Sequence, residues 1–290
     1  MTELREPMAL HDIAALKRAG TKIVMVTAYD QPSARLASEA GIDLILVGDS
    51  AGNNVLGYES TVPVTMDEAA MLTSAVARAK PRALVIGDMP FGSFQASDAD
   101  AVANAVRLVK AGADAVKLEG AGPMTSRVRA IVGAGIPVMG HLGLTPQSAT
   151  MLGGMKAQGR TAATAGRLLA DARELEDAGC FSLVLESVPA RIGAHVTEAL
   201  SIPTIGIGAG GGCDGQVLVW HDLLGVNEGV APRFVKRYAD VAGEIRRGLE
   251  AFAAEVRSGA YPADEHVYKI SGDELRAFEA ELANGERPAD

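Results

Sequence analysis

The sequence has very few cysteines, and those it has are not arranged as a redox or metal-binding pair. Among its 290 residues there are two, Cys180 and Cys213, which lie far apart and form no C-x-x-C motif. A chain of this kind fits a reducing compartment better than an oxidising one. We therefore expect a cytoplasmic protein.

Long apolar runs and concentrated positive charge are also missing. No stretch approaches the roughly 18 uninterrupted apolar residues of a membrane-spanning helix, and the N-terminal residues mix acids with bases and lack the apolar core of a signal peptide. The net charge is −9 and the 27 Lys and Arg are scattered, whereas a phosphate-backbone binder usually carries a basic stripe. We expect neither a membrane nor a nucleic-acid partner.

Several common catalytic motifs are absent, namely Walker A, H-E-x-x-H and G-x-S-x-G. The run GIGAGGG at 206–212 satisfies G-x-G-x-x-G after a predicted strand, which suggests a dinucleotide site. It lies late in the chain and no clear amphipathic helix follows it. A loop whose backbone a ligand approaches closely explains the glycines equally well.

What the sequence does contain is a regular alternation of apolar runs and amphipathic stretches. The pair Ala-Gly ends five of these stretches, at 19–20, 40–41, 111–112, 134–135 and 178–179, and an apolar run begins soon after each pair. Glycine in the left-handed conformation commonly ends a helix and turns the chain toward a strand. Strands are predicted near 22–29, 43–48, 83–88, 114–119, 137–141, 181–186, 203–208 and 216–220, and helices near 9–20, 31–40, 66–79, 98–110, 124–133, 161–178, 189–200 and 234–257.

About eight alternations in ~250 residues are typical of a single (β/α)8 TIM barrel, an α/β fold. A doubly wound open sheet is the alternative, although it more often has five or six strands and a nucleotide-binding loop after the first. We expect the catalytic barrel to span residues 1–268 and an acidic tail at 269–290 to form a surface helix or a frayed end.

Polar residues end most of the predicted strands. The segments LILVGDS, LVIGD, AVKLE, PVMGH, SLVLE and VLVWHD end at Asp49 and Ser50, Asp88, Glu119, His141, Glu186, and His221 with Asp222. The carboxyl ends of parallel strands meet at one rim of the sheet. That rim is the candidate active site, and the long loops at 51–65 and 143–160 are expected to shape or cover it.

Asp49, Asp88 and Glu119 bring three carboxylates to this rim. Close like charges must hold protons or share a cation, and oxygen ligands favour a hard ion such as Mg2+. Each acid could instead be a solvated strand end or a helix N-cap. Lys117 lies two residues before Glu119 and shares its face, where it could hold a substrate oxygen or form a salt bridge.

His141 and Glu186 each have a catalytic and a structural interpretation. A histidine at a strand end is more often hydrogen-bonded than catalytic, but its place on the rim favours a substrate contact. A carboxylate in apolar surroundings can serve as a base near neutral pH, so Glu186 is a candidate base or else a helix-capping acid. His221 has the weaker case for a role.

Ten ordered segments carry a resemblance to a known family. They are VTAYD (26–30), VGDS (47–50), STVPVT (60–65), GDMPF (87–91), VKLEG (116–120), GHLGLTPQS (140–148), QGR (158–160), LVLESVP (183–189), IPTIGIGAG (202–210) and DGQVLVWHDLLG (214–225). Together they resemble the ketopantoate hydroxymethyltransferase family from about Ile23 to Tyr268.

The resemblance implies a (β/α)8 barrel that forms a homo-oligomer, commonly a decamer, in pantothenate and coenzyme A biosynthesis. It implies transfer of a one-carbon unit from 5,10-methylenetetrahydrofolate to 3-methyl-2-oxobutanoate through a Mg2+-stabilised enolate, which gives ketopantoate. On the matching positions it implies that Asp49, Asp88 and Glu119 bind the metal directly or through water. Asp49, Ser50, Asp88, Lys117 and His141 would bind the substrate, and Glu186 would be the catalytic base.

Some positions depart from the family's usual pattern: Tyr58 stands where histidine is usual, Asn53 and Asn54 replace apolar residues, and Cys213 stands where threonine is common.

Two other functions compete with the one implied. A Mg2+-dependent lyase or mutase of the phosphoenolpyruvate and pyruvate type would need no folate and typically has a reactive cysteine in a barrel loop. An inactive binding scaffold would have lost the metal acids or the base, and all of these are present.

Overall fold

A closed barrel of eight parallel strands forms the centre of the protein, here a computed structural model that describes residues 7–229 and 231–285. Neighbouring strands pair in chain order and β8 pairs with β1. The strands are β1 (Ile23–Thr27), β2 (Leu44–Val47), β3 (Leu84–Asp88), β4 (Ala115–Glu119), β5 (Val138–Gly143), β6 (Ser182–Glu186), β7 (Thr204–Ile207) and β8 (Gly215–Leu218). The predicted TIM barrel is confirmed, and the open doubly wound sheet is wrong because the sheet has no free edge.

The helices follow the predicted order, with two short additions at 51–54 and 220–223 that were not predicted. They are α1 (Leu10–Arg18), α2 (Gln31–Glu39), α3 (Ala51–Asn54), α4 (Met66–Ala77), α5 (Asp98–Lys110), α6 (Thr125–Gly133), α7 (Ala162–Asp177), α8 (Ala190–Ala199), α9 (Trp220–Leu223), α10 (Val241–Ser258) and α11 (Gly272–Ala283). The expectation that the long late helix begins at 234 is wrong. It begins after Asp240, whose side chain caps it by accepting a hydrogen bond from the backbone N–H of Gly243.

The Ala-Gly pairs mark helix ends as predicted. Gly20, Gly41, Gly112, Gly135 and Gly179 all have positive φ. At Gly112, with φ of 106°, an added Cβ would lie 2.5 Å from the Cβ of Ala77, so a side chain is excluded by space as well as by conformation.

The inside of the barrel is filled by side chains from all eight strands. Met25, Leu46, Ile86, Met139 and Val184 belong to this buried cluster. Because side chains alternate along a strand, the residues two positions further along point to the same interior. The apolar interior of β3, β4, β5 and β6 therefore continues upward into polar residues at the carboxyl ends of these strands.

The amino ends of the strands are joined by a different set of acids. The carboxylates of Asp43, Asp114 and Asp214 accept hydrogen bonds from the backbone N–H of Val24, Val85 and Thr204, at 2.9, 2.8 and 2.8 Å. Lys17 on α1 pairs with Asp214 at 2.8 Å. These contacts hold strands together at the end of the barrel opposite the candidate site.

The chain divides into two compact units between Ala239 and Asp240. Both α10 and α11 belong to the second unit, and the expected end of the catalytic barrel at 268 stays a prediction. α11 lies in the segment expected to be a tail. Within the described residues, no helix is both long and apolar enough to cross a membrane.

In the second unit, one face of α10 exposes apolar side chains. Ile245, Leu249, Phe252 and Val256 of α10 recur at spacings of four and three, so they lie on one helix face, and each is between 47% and 63% exposed. No residue of α10 or α11 is buried.

Candidate active site

A cavity of about 310 Å³ opens at the carboxyl ends of the strands. Its lining includes every site residue expected from the sequence: Asp49, Ser50, Asp88, Lys117, Glu119, His141 and Glu186. Five of these continue the inward-facing positions of their strands, whereas Asp49 and Ser50 follow the end of β2 after Gly48. The barrel therefore brings together residues that lie far apart in the sequence.

Asp49 and Asp88 are adjacent and both are buried. The backbone N–H of Asp49 donates to Oδ2 of Asp88 at 3.1 Å, which joins the ends of β2 and β3. Burial and the neighbouring charge of Asp88 raise the pKa of Asp49 to about 8. Burial also raises the pKa of Asp88, although Lys117 opposes this change. A bound cation would stabilise the charged forms of these two adjacent, buried carboxylates.

Lys117 provides positive charge beside these acids. Its Nζ lies 2.8 Å from Oδ1 of Asp88 and 3.9 Å from Oε1 of Glu119, and the side chain is buried. Burial disfavours its charge, but Asp88, Glu119 and Asp49 outweigh that effect and raise the pKa of the ammonium group. Lys117 is therefore a fixed cation at the floor of the cavity.

Glu119 is held by partners of its own. Oε1 lies 3.2 Å from Nδ1 of His141, and Oε2 accepts the backbone N–H of Gln147 at 3.1 Å. Burial works against its charge, but the hydrogen bond and charge of His141, the charge of Lys117 and the backbone N–H of Gln147 together outweigh burial and lower the pKa of Glu119. Within the described residues no three His, Cys, Asp or Glu side chains are grouped to hold a metal ion. The three-acid ligand set stays a prediction, in which Asp49 and Asp88 form the adjacent pair.

His141 connects Glu119 to Glu186. Its Nε2 lies 3.3 Å from Oε2 of Glu186, while its Nδ1 lies 3.2 Å from Glu119. Burial and the charge of Lys117 lower the pKa of His141, but its contacts with Glu119 and Glu186 outweigh them and raise it to about 9. The imidazole is thus protonated near neutral pH and joins both carboxylates.

Two backbone features lie next to Glu186, a left-handed residue after it and a close approach of the loop that follows β5. Ser187, the next residue, has a left-handed φ of 51°, a conformation that costs energy for a residue with a side chain. The carbonyl of Glu186 accepts the N–H of Leu144 at 2.9 Å. An added Cβ at Gly143 would lie 2.2 Å from that carbonyl oxygen, so the loop after β5 can pass only with glycine there.

Two polar residues of the site were not predicted from the sequence. Gln147 donates its side-chain amide to Asp49 and to the carbonyl of Met89. Tyr29 shares a hydrogen bond with Ser50 at 2.8 Å and accepts one from Thr27 at 2.9 Å. Both residues lie in segments that carry the family resemblance, and that is the only sequence signal that could have indicated them.

The comparisons with known proteins agree on one family. The sequence profile described as ketopantoate hydroxymethyltransferase matches residues 7–264. The chain belongs to this family. It is 58% identical to 3-methyl-2-oxobutanoate hydroxymethyltransferase of Moorella thermoacetica, over 91% of this chain and 99% of the relative. It is 56% identical to the enzyme of the same name from Desulfotalea psychrophila, over 90% of this chain and 94% of the relative.

Solved structures that resemble this member of the ketopantoate hydroxymethyltransferase family share its fold at low sequence identity. Phosphonopyruvate hydrolase superposes with a TM-score of 0.58 at 14% identity, covering 95% of this chain and 99% of that one. A 2,3-dimethylmalate lyase of the PEP mutase/isocitrate lyase superfamily gives 0.56 at 16% identity, with 95% and 99% coverage. These likenesses support the TIM barrel and carry no argument about activity.

Of the departures from the usual family pattern, Cys213 precedes β8 at its amino end, and the other three lie in the loop that borders the cavity. Asn53 and Asn54 line it, and Asn54 accepts a hydrogen bond from Asn227 at 2.6 Å. The hydroxyl of Tyr58 donates to Glu68. Asn53 donates to the carbonyl of Tyr58 at 3.0 Å, so these residues brace the loop at 51–65.

Of the remaining strand-end candidates, Asp222 lines the cavity and His221 does not. His221 is half-buried and its ring lies 5.5 Å from that of Tyr29. The glycine run at 206–212 is followed by β8, so it lacks the helix that a dinucleotide fingerprint opens. At Gly208 an added Cβ would lie 2.6 Å from the ring of Phe234, which explains one of these glycines by packing.

Both cysteines are free and buried at the amino ends of strands, Cys180 before β6 and Cys213 before β8. Burial raises the pKa of Cys180 to about 12. The site acids lie at the opposite, carboxyl ends of the strands. A reactive cysteine beside the acids, the feature expected of the competing lyases, is therefore not supplied by either residue.

Proposed function

We propose that this chain transfers a hydroxymethyl group from 5,10-methylenetetrahydrofolate to 3-methyl-2-oxobutanoate and thereby makes ketopantoate for pantothenate and coenzyme A biosynthesis. The observation that carries the proposal is a single cavity with a paired-carboxylate end, Asp49 and Asp88, and a carboxylate–imidazole end, Glu186 and His141. Such a cavity can bind a small 2-oxo acid and remove a proton from it.

The residues present fit a divalent cation. Asp49 and Asp88 are adjacent buried carboxylates with raised pKa values, and carboxylate oxygens are the donors that Mg2+ prefers. These two residues would hold the ion, with Glu119 behind them in the role of a further or water-mediated ligand. When bound, Mg2+ would polarise the ketone and carboxylate of the substrate and acidify the neighbouring C–H bond.

The fixed cation and a hydroxyl would bind the anionic substrate. Lys117 can donate from Nζ to a substrate carboxylate or to the oxygen on which negative charge develops. Ser50 lines the same cavity, and its hydroxyl is held by Tyr29. These donors lie on the ends of β2 and β4, so the substrate would be oriented between rigid elements.

Glu186 is the proposed base. Its carboxylate would take the proton from C3 of 3-methyl-2-oxobutanoate, the carbon next to the ketone, and the electron pair left on C3 would attack the one-carbon unit of the folate. Water would supply the hydroxyl oxygen as the two bonds from the methylene carbon to the folate nitrogens break. The proton taken by Glu186 and one proton of that water would end on these nitrogens, and tetrahydrofolate would leave. His141 would keep the Glu186 carboxylate oriented toward the cavity through the contact at 3.3 Å.

We also propose that the protein is cytoplasmic and forms a homo-oligomer, namely a decamer. The two free buried thiols support the reducing compartment. The exposed apolar face of α10 supports association between copies, because monomeric proteins rarely leave contiguous apolar surface in water. Sedimentation or light scattering of the purified chain would give the number of copies.

Product formation tests the reaction. Incubation of the enzyme with 3-methyl-2-oxobutanoate, Mg2+ and 5,10-methylenetetrahydrofolate should yield ketopantoate by NMR, and omission of the folate should abolish it. A lyase or mutase would convert a 2-oxo acid or its ester without folate. The proposal would be contradicted if ketopantoate formed without the folate. It would also be contradicted if no ketopantoate formed when 5,10-methylenetetrahydrofolate was present.

A further inference from the structure

We propose that Gln147 is a positioning residue of the metal site, which orients Asp49 and Glu119 for cation binding. The inference rests on the proposed function, since it assigns a supporting residue to the ion proposed there. Gln147 lies in a single 3-10 turn, Pro146–Ser148, at the start of the long loop after β5. It is 6% exposed, and its side chain and backbone both contact candidate metal acids.

Three hydrogen bonds connect Gln147 to the ends of three strands. Nε2 donates to Oδ2 of Asp49 at 2.9 Å and to the carbonyl of Met89 at 3.0 Å. Its backbone N–H donates to Oε2 of Glu119 at 3.1 Å. One residue therefore links the carboxylate after β2, the backbone after β3 and the carboxylate at the end of β4.

The direction of the amide is set by its neighbours. A backbone carbonyl can only accept, so the contact with Met89 requires the amide nitrogen on that side. The second hydrogen of the same nitrogen is then directed at Asp49. The opposite atom, Oε1, lies 3.5 Å from Nε2 of Gln95, which can donate to it.

The segment that carries Gln147 is itself anchored beside the base. Leu144 donates its N–H to the carbonyl of Glu186, and Gly143, with φ of 93°, is the residue that permits this approach. The same short segment thus contacts Glu186 through Leu144 and the metal acids through Gln147. One loop segment therefore fixes the position of Glu186 relative to the metal acids.

Loss of the amide should loosen the acids without removing any of them. In Gln147→Met the side chain keeps a similar length but can no longer donate to Asp49 or Met89, so the Asp49 carboxylate becomes free to rotate. Partners that orient metal ligands typically contribute about 10- to 100-fold to metal affinity. We expect the dissociation constant for Mn2+ to rise by about 10-fold or more.

Mn2+ titration followed by electron paramagnetic resonance of the free ion would test this in the absence of substrates. Gln158→Met is the matched control, because Gln158 lies in the same loop and its side chain donates only to the exposed carbonyl of Lys156. Gln147→Asn is a second variant, since it keeps an amide that is one methylene too short to reach both acceptors. Circular dichroism and thermal unfolding would be recorded for each variant.

The inference predicts weaker Mn2+ binding in Gln147→Met and Gln147→Asn, with Gln158→Met like the wild type, and partial recovery of turnover at high Mg2+. Unchanged Mn2+ affinity in a folded Gln147 variant would overturn it. Ketopantoate formation by the wild type is measured on the same samples. If the wild type makes ketopantoate and the Gln147 variants bind Mn2+ normally, only the positioning role is refuted. If the variants bind Mn2+ more weakly but the wild type makes no ketopantoate, only the proposed reaction is refuted.

Discussion

The imidazole Nε2 of His141 lies 3.3 Å from Oε2 of Glu186. The other nitrogen of the same ring contacts Glu119 at 3.2 Å, so one side chain couples the proposed base to a proposed metal acid. We therefore expect His141 to orient the Glu186 carboxylate.

Replacement of His141 by Gln should therefore slow the reaction through Glu186. The base would lose its positively charged neighbour, and groups that support general acid–base catalysis typically contribute about 100-fold or more to rate. We expect kcat to fall by about two orders of magnitude while the KM for 3-methyl-2-oxobutanoate changes less. Steady-state kinetics of the variant would measure both. A large rise in KM with unchanged kcat would instead assign His141 to substrate binding.

Tyr29 should affect substrate binding rather than the chemical step. Tyr29→Phe removes the hydroxyl that holds Ser50 and leaves the buried ring in place. One hydrogen bond of this kind contributes about 1 kcal/mol, so the KM for the 2-oxo acid should rise several-fold with kcat nearly unchanged. In a Ser50→Ala background Tyr29→Phe should add little, because Tyr29 reaches the substrate only through the Ser50 hydroxyl. Independent, additive effects would disagree with this arrangement.

Lys117 should be essential to the stability of the apoprotein as well as to activity. Lys117→Met leaves Asp88 buried without its partner at 2.8 Å, and removal of one member of a buried ion pair typically costs about 3–5 kcal/mol. Urea unfolding in EDTA should show that loss in the free energy of unfolding. The control is Lys110→Met, at the exposed end of α5, which should change the free energy of unfolding by less than about 0.5 kcal/mol.

The stability of the metal-free protein should fall as the pH rises toward 9. The folded-state pKa of Asp49 is raised from 3.8 to about 8, chiefly by burial, and that of His141 is raised from 6.5 to about 9 by its two carboxylate partners. A raised pKa gives stability that is complete below the unfolded value and is lost as the pH passes through the folded value. The lowered pKa of Glu119 acts in the opposite direction, with stability lost as the pH falls.

Urea unfolding in EDTA at several pH values from about 6 to about 9 would measure this dependence. The free energy of unfolding should decrease across that range, and Asp49→Asn should show a smaller decrease because it removes one of the two groups. An increase in stability up to pH 9 would show that these groups do not hold their protons in the folded protein.

The strand ends were predictable because they follow from two simple periodicities. Alternation along β3 to β6 places Asp88, Glu119, His141 and Glu186 on the inward face, and closure of the barrel brings them to one rim. The five Ala-Gly turns were predictable because glycine is needed for positive φ at each helix end.

The links between site residues were not predictable, because they depend on contacts across the barrel. Gln147 lies 98 residues from Asp49 and 28 from Glu119 in the sequence. Nothing in the local pattern of TPQS distinguishes it from any polar loop residue. The start of α10 was also missed, because the cap at Asp240 rather than the apolar pattern beginning at 234 decides where the helix begins.

Exchange of the C3 proton of 3-methyl-2-oxobutanoate for deuterium, followed by NMR, tests the central claim most directly. The wild type should catalyse exchange with Mg2+ and lose it with EDTA, and Glu186→Gln should lose it with Mg2+ present. Glu198→Gln, at a carboxylate whose side chain is 76% exposed, is the matched control and should exchange like the wild type. No exchange by the wild type, with or without tetrahydrofolate, would contradict the proposed reaction, and exchange that persists in Glu186→Gln would contradict the assigned base.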